Sequence, residues 1–371
     1  MSSISSDKRL DRQAALAALL EMEGLDALLV TSRPNIRYLT GFSGSAGIAV
    51  ATRGTALLVT DFRYDEQAHE ESGAVVRVEI EGTSVWERLF KELPTLRLGG
   101  APPLIGFEAH AVTVKDAERF ATSAASAWRW KPAAELVERL RVRKDAGEVA
   151  AIRAAAALAS AALGDTLAAV HPGQTELEIA GMLEGALRRR GSEGHPFPTI
   201  VASGPRSALP HAHSSMRTVA AGEWLLLDFG AVVDGYCADI TRTVVVGKRA
   251  DQAQRALYAL VRDAQRRARE GVRAGMVGRD ADALAREPIE ARGFGAAFGH
   301  STGHGVGLEV HEAPRLSRTA ADPLPEGAVV TIEPGVYVAG RGGVRIEDDV
   351  FLSAEGPVLL TDGCTDLVEL V

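Results

Sequence analysis

The sequence predicts an α/β domain over residues 1–132 followed by an α+β domain over residues 133–371. Three observations carry this. The chain has 371 residues, more than one typical domain uses. Its first third interleaves short apolar runs with segments of helical spacing, as a layered α/β unit requires. Beyond Trp128-Arg129-Trp130-Lys131-Pro132 that alternation stops. Long helices follow, and then strands joined by glycine-containing turns.

The elements follow in order. Leu16, Leu19 and Leu20 predict a helix over 11–23, with Gly24 as its stop. Residues 25–30 read as a buried strand, and 47–51 and 56–59 as two strands around the turn Arg53-Gly54. Helices over 63–71 and 85–93 and strands over 75–80 and 104–108 complete the first domain. In the second, 135–142, 148–170 and 175–190 read as helices, the last ending at Gly191. One helical stretch over 252–291 interrupts the strands that follow. No tandem repeat or low-complexity tract is present.

Composition narrows the function. The chain is 46% hydrophobic and 24% charged, as in soluble globular proteins and unlike disordered ones. Lys+Arg 41 against Asp+Glu 49 leaves −8, and aromatics are 5%, so neither a basic footprint nor a stacking platform for nucleic acid is expected. Cys237 and Cys364 cannot build a disulfide framework and fit a reducing compartment. No apolar run of membrane-spanning length is read, and the first residues lack the apolar core of a signal peptide. A cytoplasmic protein that engages no membrane is the expectation.

The chemistry lies between His211 and Glu347. Residues 224–246 read as strand, Asp234-Gly235 turn, strand. That turn pairs Asp228 with Thr241 and leaves Asp239 two residues away on the same face. Aspartate is depleted in strands, and two like charges there are costly without a cation or a shared proton. A second hairpin repeats the device. A turn centred on Arg341 pairs Glu333 with Asp349 and makes Glu347 the diagonal neighbour of Glu333, with Pro334 marking a bulge or edge. Five of the nine histidines, His211, His213, His300, His304 and His311, fall in the same region. Carboxylates with an imidazole suit Mn²⁺, or Co²⁺, Fe²⁺ and Zn²⁺, better than a closed structural zinc site. Four negative charges call for about two dications, the usual arrangement for hydrolysis by a bridging hydroxide. Asp348 and Asp349 read as solvated or supporting residues, and Cys237 as a small buried hydrophobe. The glycines of 303–307 lack the strand–turn–helix context of a dinucleotide site.

These motifs resemble the pita-bread metallopeptidases, which include methionine aminopeptidase, aminopeptidase P and prolidase. The resemblance rests on His211, Asp228 with Asp239, residues 300–308, Val310-His311-Glu312, Ile332-Glu333-Pro334-Gly335 and Arg345-Ile346-Glu347-Asp348. It implies Asp228, Asp239, His304, Glu333 and Glu347 as ligands of a dinuclear site. It places His211, His300 and His311 around the substrate, and Arg345 against a carboxylate. Residues 35–45 and 60–68 look like the extra N-terminal domain of the proline-specific branch, so the second domain is expected to be the pita-bread catalytic domain. The implied activity is hydrolysis of the Xaa-Pro bond at the N-terminus of peptides. Glu333 then serves as general base, and one of His211 and His311 donates to the carbonyl oxygen. Phe197 or Tyr236 walls the proline slot. The near alternative is an Xaa-Pro dipeptidase, for which Arg206 and Arg217 are the cations available to a terminal carboxylate. A non-catalytic pita-bread binding protein is the alternative of another class, and a hydrolase of some other amide or ester is a third. The resemblance also implies a homodimer.

Overall fold

The computed structural model describes residues 7–96, 98, 102–122, 125–361 and 363–371. The chain divides into two units, Met1–Arg141 and Val142–Val371.

The first unit is a six-stranded mixed sheet in the order β4-β3-β2-β1-β5-β6. Its strands are β1 (Ala27–Val30), β2 (Gly47–Thr52), β3 (Ala56–Asp61), β4 (Arg77–Glu81), β5 (Leu104–Glu108) and β6 (Arg129–Ala133). The helices are α1 (Lys8–Met22), α2 (Arg33–Thr40), α3 (Asp65–Ser72), α4 (Val85–Glu92), the single turn α5 (Val114–Ala117) and α6 (Leu136–Arg141). Every residue of β1 is buried, as its unbroken apolar run requires.

Three of these elements were not expected: α2, the single turn α5 and strand β6. Helix α2 has Pro34 in its first turn, where proline is tolerated, and ends on Gly41 at φ 86°. The Glu108 carboxylate anchors the segment that leads into it. It accepts from the amides of Thr31 and Ser32, both at 2.7 Å, and from Asn35 Nδ2 at 2.6 Å. Strand β6 contains Pro132 and lies at the sheet edge, where a missing N–H costs nothing. Trp130 of that strand stacks on Phe120 at 4.1 Å inside the core of the first unit. The expected boundary at Pro132 therefore falls inside a strand, and the chain divides nine residues later, after Arg141.

In the second unit, α7 (Ala146–Leu167) opens with a capping box between Asp145 and Glu148. By length and composition alone this helix is apolar enough to cross a membrane, although Arg153 and Ser160 interrupt its apolar run. Alanine supplies most of that apolarity. Ile152, Ala155, Ala156, Ala159 and Ala162 are buried. From Ala155 onward they pack with Ile179, Leu183 and Leu187 of α8 (Glu176–Arg189) against Leu225 and Leu227. The stretch expected as one helix is two, α9 (Gln252–Gly271) and α10 (Gly278–Ala291), parted near Gly275 at φ 82°.

The remaining strands are β7 (Ile200–Ser203), β8 (Trp224–Phe229), β9 (Val232–Val233), β10 (Tyr236–Cys237), β11 (Ile240–Val246), β12 (Gly303–Gly305), β13 (Glu312–Leu316), β14 (Val329–Ile332), β15 (Gly335–Val338), β16 (Gly342–Arg345), β17 (Asp348–Ser353), β18 (Gly356–Leu359) and β19 (Glu369–Leu370). They form sheets β19-β11-β8-β7 and β13-β12-β14-β17-β18, with two-stranded ribbons β9-β10 and β15-β16. The first sheet packs on α7 and α8, and the second sheet with the β16 ribbon on α9 and α10.

Both hairpins exist. The first has the expected register, Asp228 opposite Thr241, with Asp234 and Gly235 at φ 48° and 74°. The second is offset by two residues. Thr331, not Glu333, faces Asp349, and Gly335 faces Arg345. The turn is therefore centred on Gly340, at φ 76°, rather than on Arg341. A two-residue shift preserves the face of every side chain. It turns Glu333 and Glu347 from diagonal neighbours into directly opposed residues.

Candidate active site and metal centre

Between β14–β17 and β15–β16 the ladder of the second hairpin opens around Glu333-Pro334 and Ile346-Glu347. Pro334 has no N–H to give. The freed groups bond elsewhere. The Glu333 amide donates to the Thr302 carbonyl at 2.8 Å, and the Glu347 amide to the Thr241 carbonyl at 3.1 Å. This ties the second hairpin to the histidine segment on one side and to the first hairpin on the other.

A cavity of about 520 Å³ results, lined by Asp228, Asp239, His304, Glu333 and Glu347 together with His211, His300, His311 and Arg345. All nine residues singled out from the sequence face one space, as does His213. Ligand atoms of Asp239, His304 and Glu347 lie within 4.8 Å of one another. His304 Nε2 is 3.3 Å from Glu333 Oε1 and 3.8 Å from Asp239 Oδ2. Its Nδ1 donates to the Gly305 carbonyl at 3.0 Å, which aims Nε2 at the carboxylates. Asp228 instead pairs with Arg345 Nη2.

The electrostatics show what the site lacks. Burial, then the charge of Glu347, pushes Asp239 well above the usual carboxylate range. Burial and the charge of Glu333 do the same to Glu347. Asp228 is raised by burial despite Arg345. Glu333 is also penalised by burial, but its hydrogen bond to His304 holds it below its ordinary value. Asp239 Oδ1 is buried and makes no hydrogen bond. Such an oxygen among like charges is costly unless a cation completes it. Carboxylate oxygens with one imidazole are the donor set of a hard or borderline divalent cation, so these residues fit divalent metal.

Several participants were not read from the sequence. Tyr337 accepts from Arg345 Nη1 at 2.6 Å and shares a hydrogen bond with His300 Nε2 at 2.8 Å. His300 Nδ1 donates to the Ser301 carbonyl, so Nε2 is the acceptor in that pair. Burial lowers the pKa of His300 and raises the Tyr337 phenol to about 12, so both are neutral at physiological pH. On α10, buried Asp282 and Arg286 form an i,i+4 pair at 2.5 Å. Asp282 accepts from the Thr302 amide, and Arg286 donates to the carbonyls of Phe298 and His300. Asp348 and Asp349 are buried, not solvated. Asp348 accepts from Arg242, Gln265 and Arg269, and Asp349 from the Asp239 amide. Phe197 lines the cavity, but the Tyr236 hydroxyl is turned to Glu148 at 2.8 Å. Cys237 is buried and free.

Fold and site together define a metallopeptidase with the pita-bread catalytic domain. The chain belongs to metallopeptidase family M24, whose model matches residues 150–354, behind a creatinase/prolidase N-terminal domain matched over residues 12–143. It is similar to the peptidase YqhT of Bacillus subtilis, 41% identical over 94% of this chain and 96% of that protein. An Xaa-Pro dipeptidase structure from Bacillus anthracis superposes with a TM-score of 0.91 at 37% identity, covering 98% of this chain and 100% of that one. An X-Pro aminopeptidase from Thermotoga maritima gives 0.88 at 37% identity, covering 96% and 99%.

Proposed function

We propose that the protein hydrolyses the Xaa-Pro bond at the N-terminus of peptides, with Asp228, Asp239, His304, Glu333 and Glu347 holding two divalent cations, Mn²⁺ foremost. The observation that carries this is the single cavity into which all five side chains turn, with Asp239 Oδ1 left without a partner. Bound there, the cations supply Lewis acidity for the scissile carbonyl and lower the pKa of water toward neutrality. The chain's own groups do the rest. Glu333 accepts the proton of the attacking water and returns it to the prolyl nitrogen, which carries no hydrogen of its own. His211 or His311 donates to the carbonyl oxygen as charge builds there. His300, neutral and fixed by Tyr337, borders the substrate. Phe197, Pro198, Ile200 and Pro210 give the cavity an apolar wall suited to a proline ring.

A second reading, preference for free Xaa-Pro dipeptides, is favoured by Arg315. The basic residues proposed from sequence are already engaged. Arg206 pairs with Glu176 at 3.0 Å and Arg217 with Glu223 at 2.5 Å, and neither lines the cavity. Arg315 does line it, is exposed, and makes no ion pair among the described residues. A guanidinium so placed matches a terminal carboxylate. The test compares turnover of Xaa-Pro with Xaa-Pro-Xaa in Mn²⁺. Comparable rates support the aminopeptidase reading, the dipeptide alone supports the second, and cleavage of neither overturns both. Assembly as a homodimer and action in the cytoplasm complete the proposal. Sedimentation of the purified protein as a monomer would contradict the first, and its recovery outside the cytoplasm the second.

A further inference from the structure

We infer that Thr241 and Thr331 are positioning residues, each setting the orientation of one glutamate toward the cations; this rests on the metal reading proposed above. Both threonines are fully buried. Thr241 follows Asp239 by two residues and Thr331 precedes Glu333 by two, so each shares a strand face with the site. Thr241 Oγ1 donates to Glu347 Oε2 at 2.5 Å, and Thr331 Oγ1 to Glu333 Oε1 at 3.3 Å.

The direction of these bonds is fixed. A hydroxyl has one proton and two acceptor sites. Thr241 Oγ1 already accepts from Arg345 Nε at 3.1 Å, and Thr331 Oγ1 from the His304 amide at 3.1 Å. The remaining proton of each therefore points at a carboxylate, that of Thr331 at Glu333 and that of Thr241 at Glu347, with its strand partner Asp228 also in reach. Glutamate needs this more than aspartate does. It has one more torsion than aspartate before a terminal torsion that is equally broad, so packing alone leaves the carboxylate loosely set. One oxygen tied to a strand hydroxyl fixes that plane. The same hydroxyls link the glutamates to other parts of the site, to the Arg345 guanidinium through Thr241 and to the His304 backbone through Thr331.

The experiment uses the full chain stripped of metal by chelator. Thr331→Val and Thr241→Val remove a hydroxyl while keeping shape and strand preference, and Thr→Ser at each site keeps the hydroxyl. Calorimetric titration with Mn²⁺ is expected to show affinity about 10–100-fold weaker in the valine variants, the range typical for groups that orient metal ligands. The serine variants should return close to wild type. Melting temperatures of the stripped proteins should stay within a few degrees, which separates orientation from folding. At fixed Mn²⁺, kcat should fall with KM little changed. Valine variants that bind Mn²⁺ as wild type does overturn the inference. If Thr241→Val does not fold, Thr331→Val decides alone, and Thr331→Ala replaces it should that fail too. A wild-type protein that binds no divalent cation removes the metal reading itself, and the inference with it.

Discussion

Asp239 concentrates the argument at the scale of single residues. It is buried, crowded by Glu347, and has one oxygen without a partner. Asp239→Ala is expected to lower kcat by about a thousandfold or more, since Lewis-acid stabilisation amounts to several kcal/mol. The melting curve of the stripped protein should survive, because removing this carboxylate relieves repulsion. The pH dependence has a definite sign. Protons and metal compete for the same oxygens, and burial raises the proton affinity of Asp239 and Glu347. Metal affinity should fall as pH drops, so activity lost at pH about 5.5–6 should return with excess Mn²⁺. An acid limb that added metal does not move would place the titrating group elsewhere. Most of this chemistry was legible in the chain, because an aspartate inside an apolar strand has few other reasons to be there. Tyr337 was not. A tyrosine at the end of a strand looks like core, and only the fold shows it between Arg345 and His300.

Individual elements show why some registers were legible and others were not. Asp234-Gly235 admits one tight turn, so the first hairpin had one solution. Residues 339–343 offer three glycines, and several turns fit them. The chosen one moved the register by two and left the faces intact, which is why these side chains still turn into one cavity although the pairing differs. Helix α2 escaped notice because Pro34 and Asn35 read as turn residues, and Glu108, which anchors the segment before them, lies far along the chain. At this scale α10 makes a prediction. Arg286→Met leaves Asp282 buried without its partner, a loss of about 3–5 kcal/mol. For a unit of this size that is a drop in melting temperature of roughly 6–20 °C. Adding Asp282→Leu should recover part of it. Scanning calorimetry reads both, and a single variant that melts like wild type would show that the pair does not hold the 298–302 segment.

For the molecule as a whole, the division after Arg141 places all five proposed ligands in the second unit. Anything that binds the folded form alone stabilises it by mass action, about 2.7 kcal/mol at a hundredfold excess over Kd. Chelation should therefore lower the melting of residues 142–371 and leave the six-stranded sheet of residues 1–141 where it was. Hydrogen exchange with and without Mn²⁺ resolves the two. Equal loss of protection in both units would mean that the sheet also depends on metal.

The opened ladder of the second hairpin has one more consequence, in the order of events during synthesis. Thr241, Thr302, Glu333 and Glu347 are joined there by amide hydrogen bonds, although more than a hundred residues separate the first from the last. None of these links is local, and contacts so far apart in the chain form late. A ribosome-bound chain that stops before Glu347 already carries Asp228 and Asp239, but the opposing wall is missing. The emerging chain thus has no completed cavity, and on the proposed reading the choice among cations falls to the finished protein.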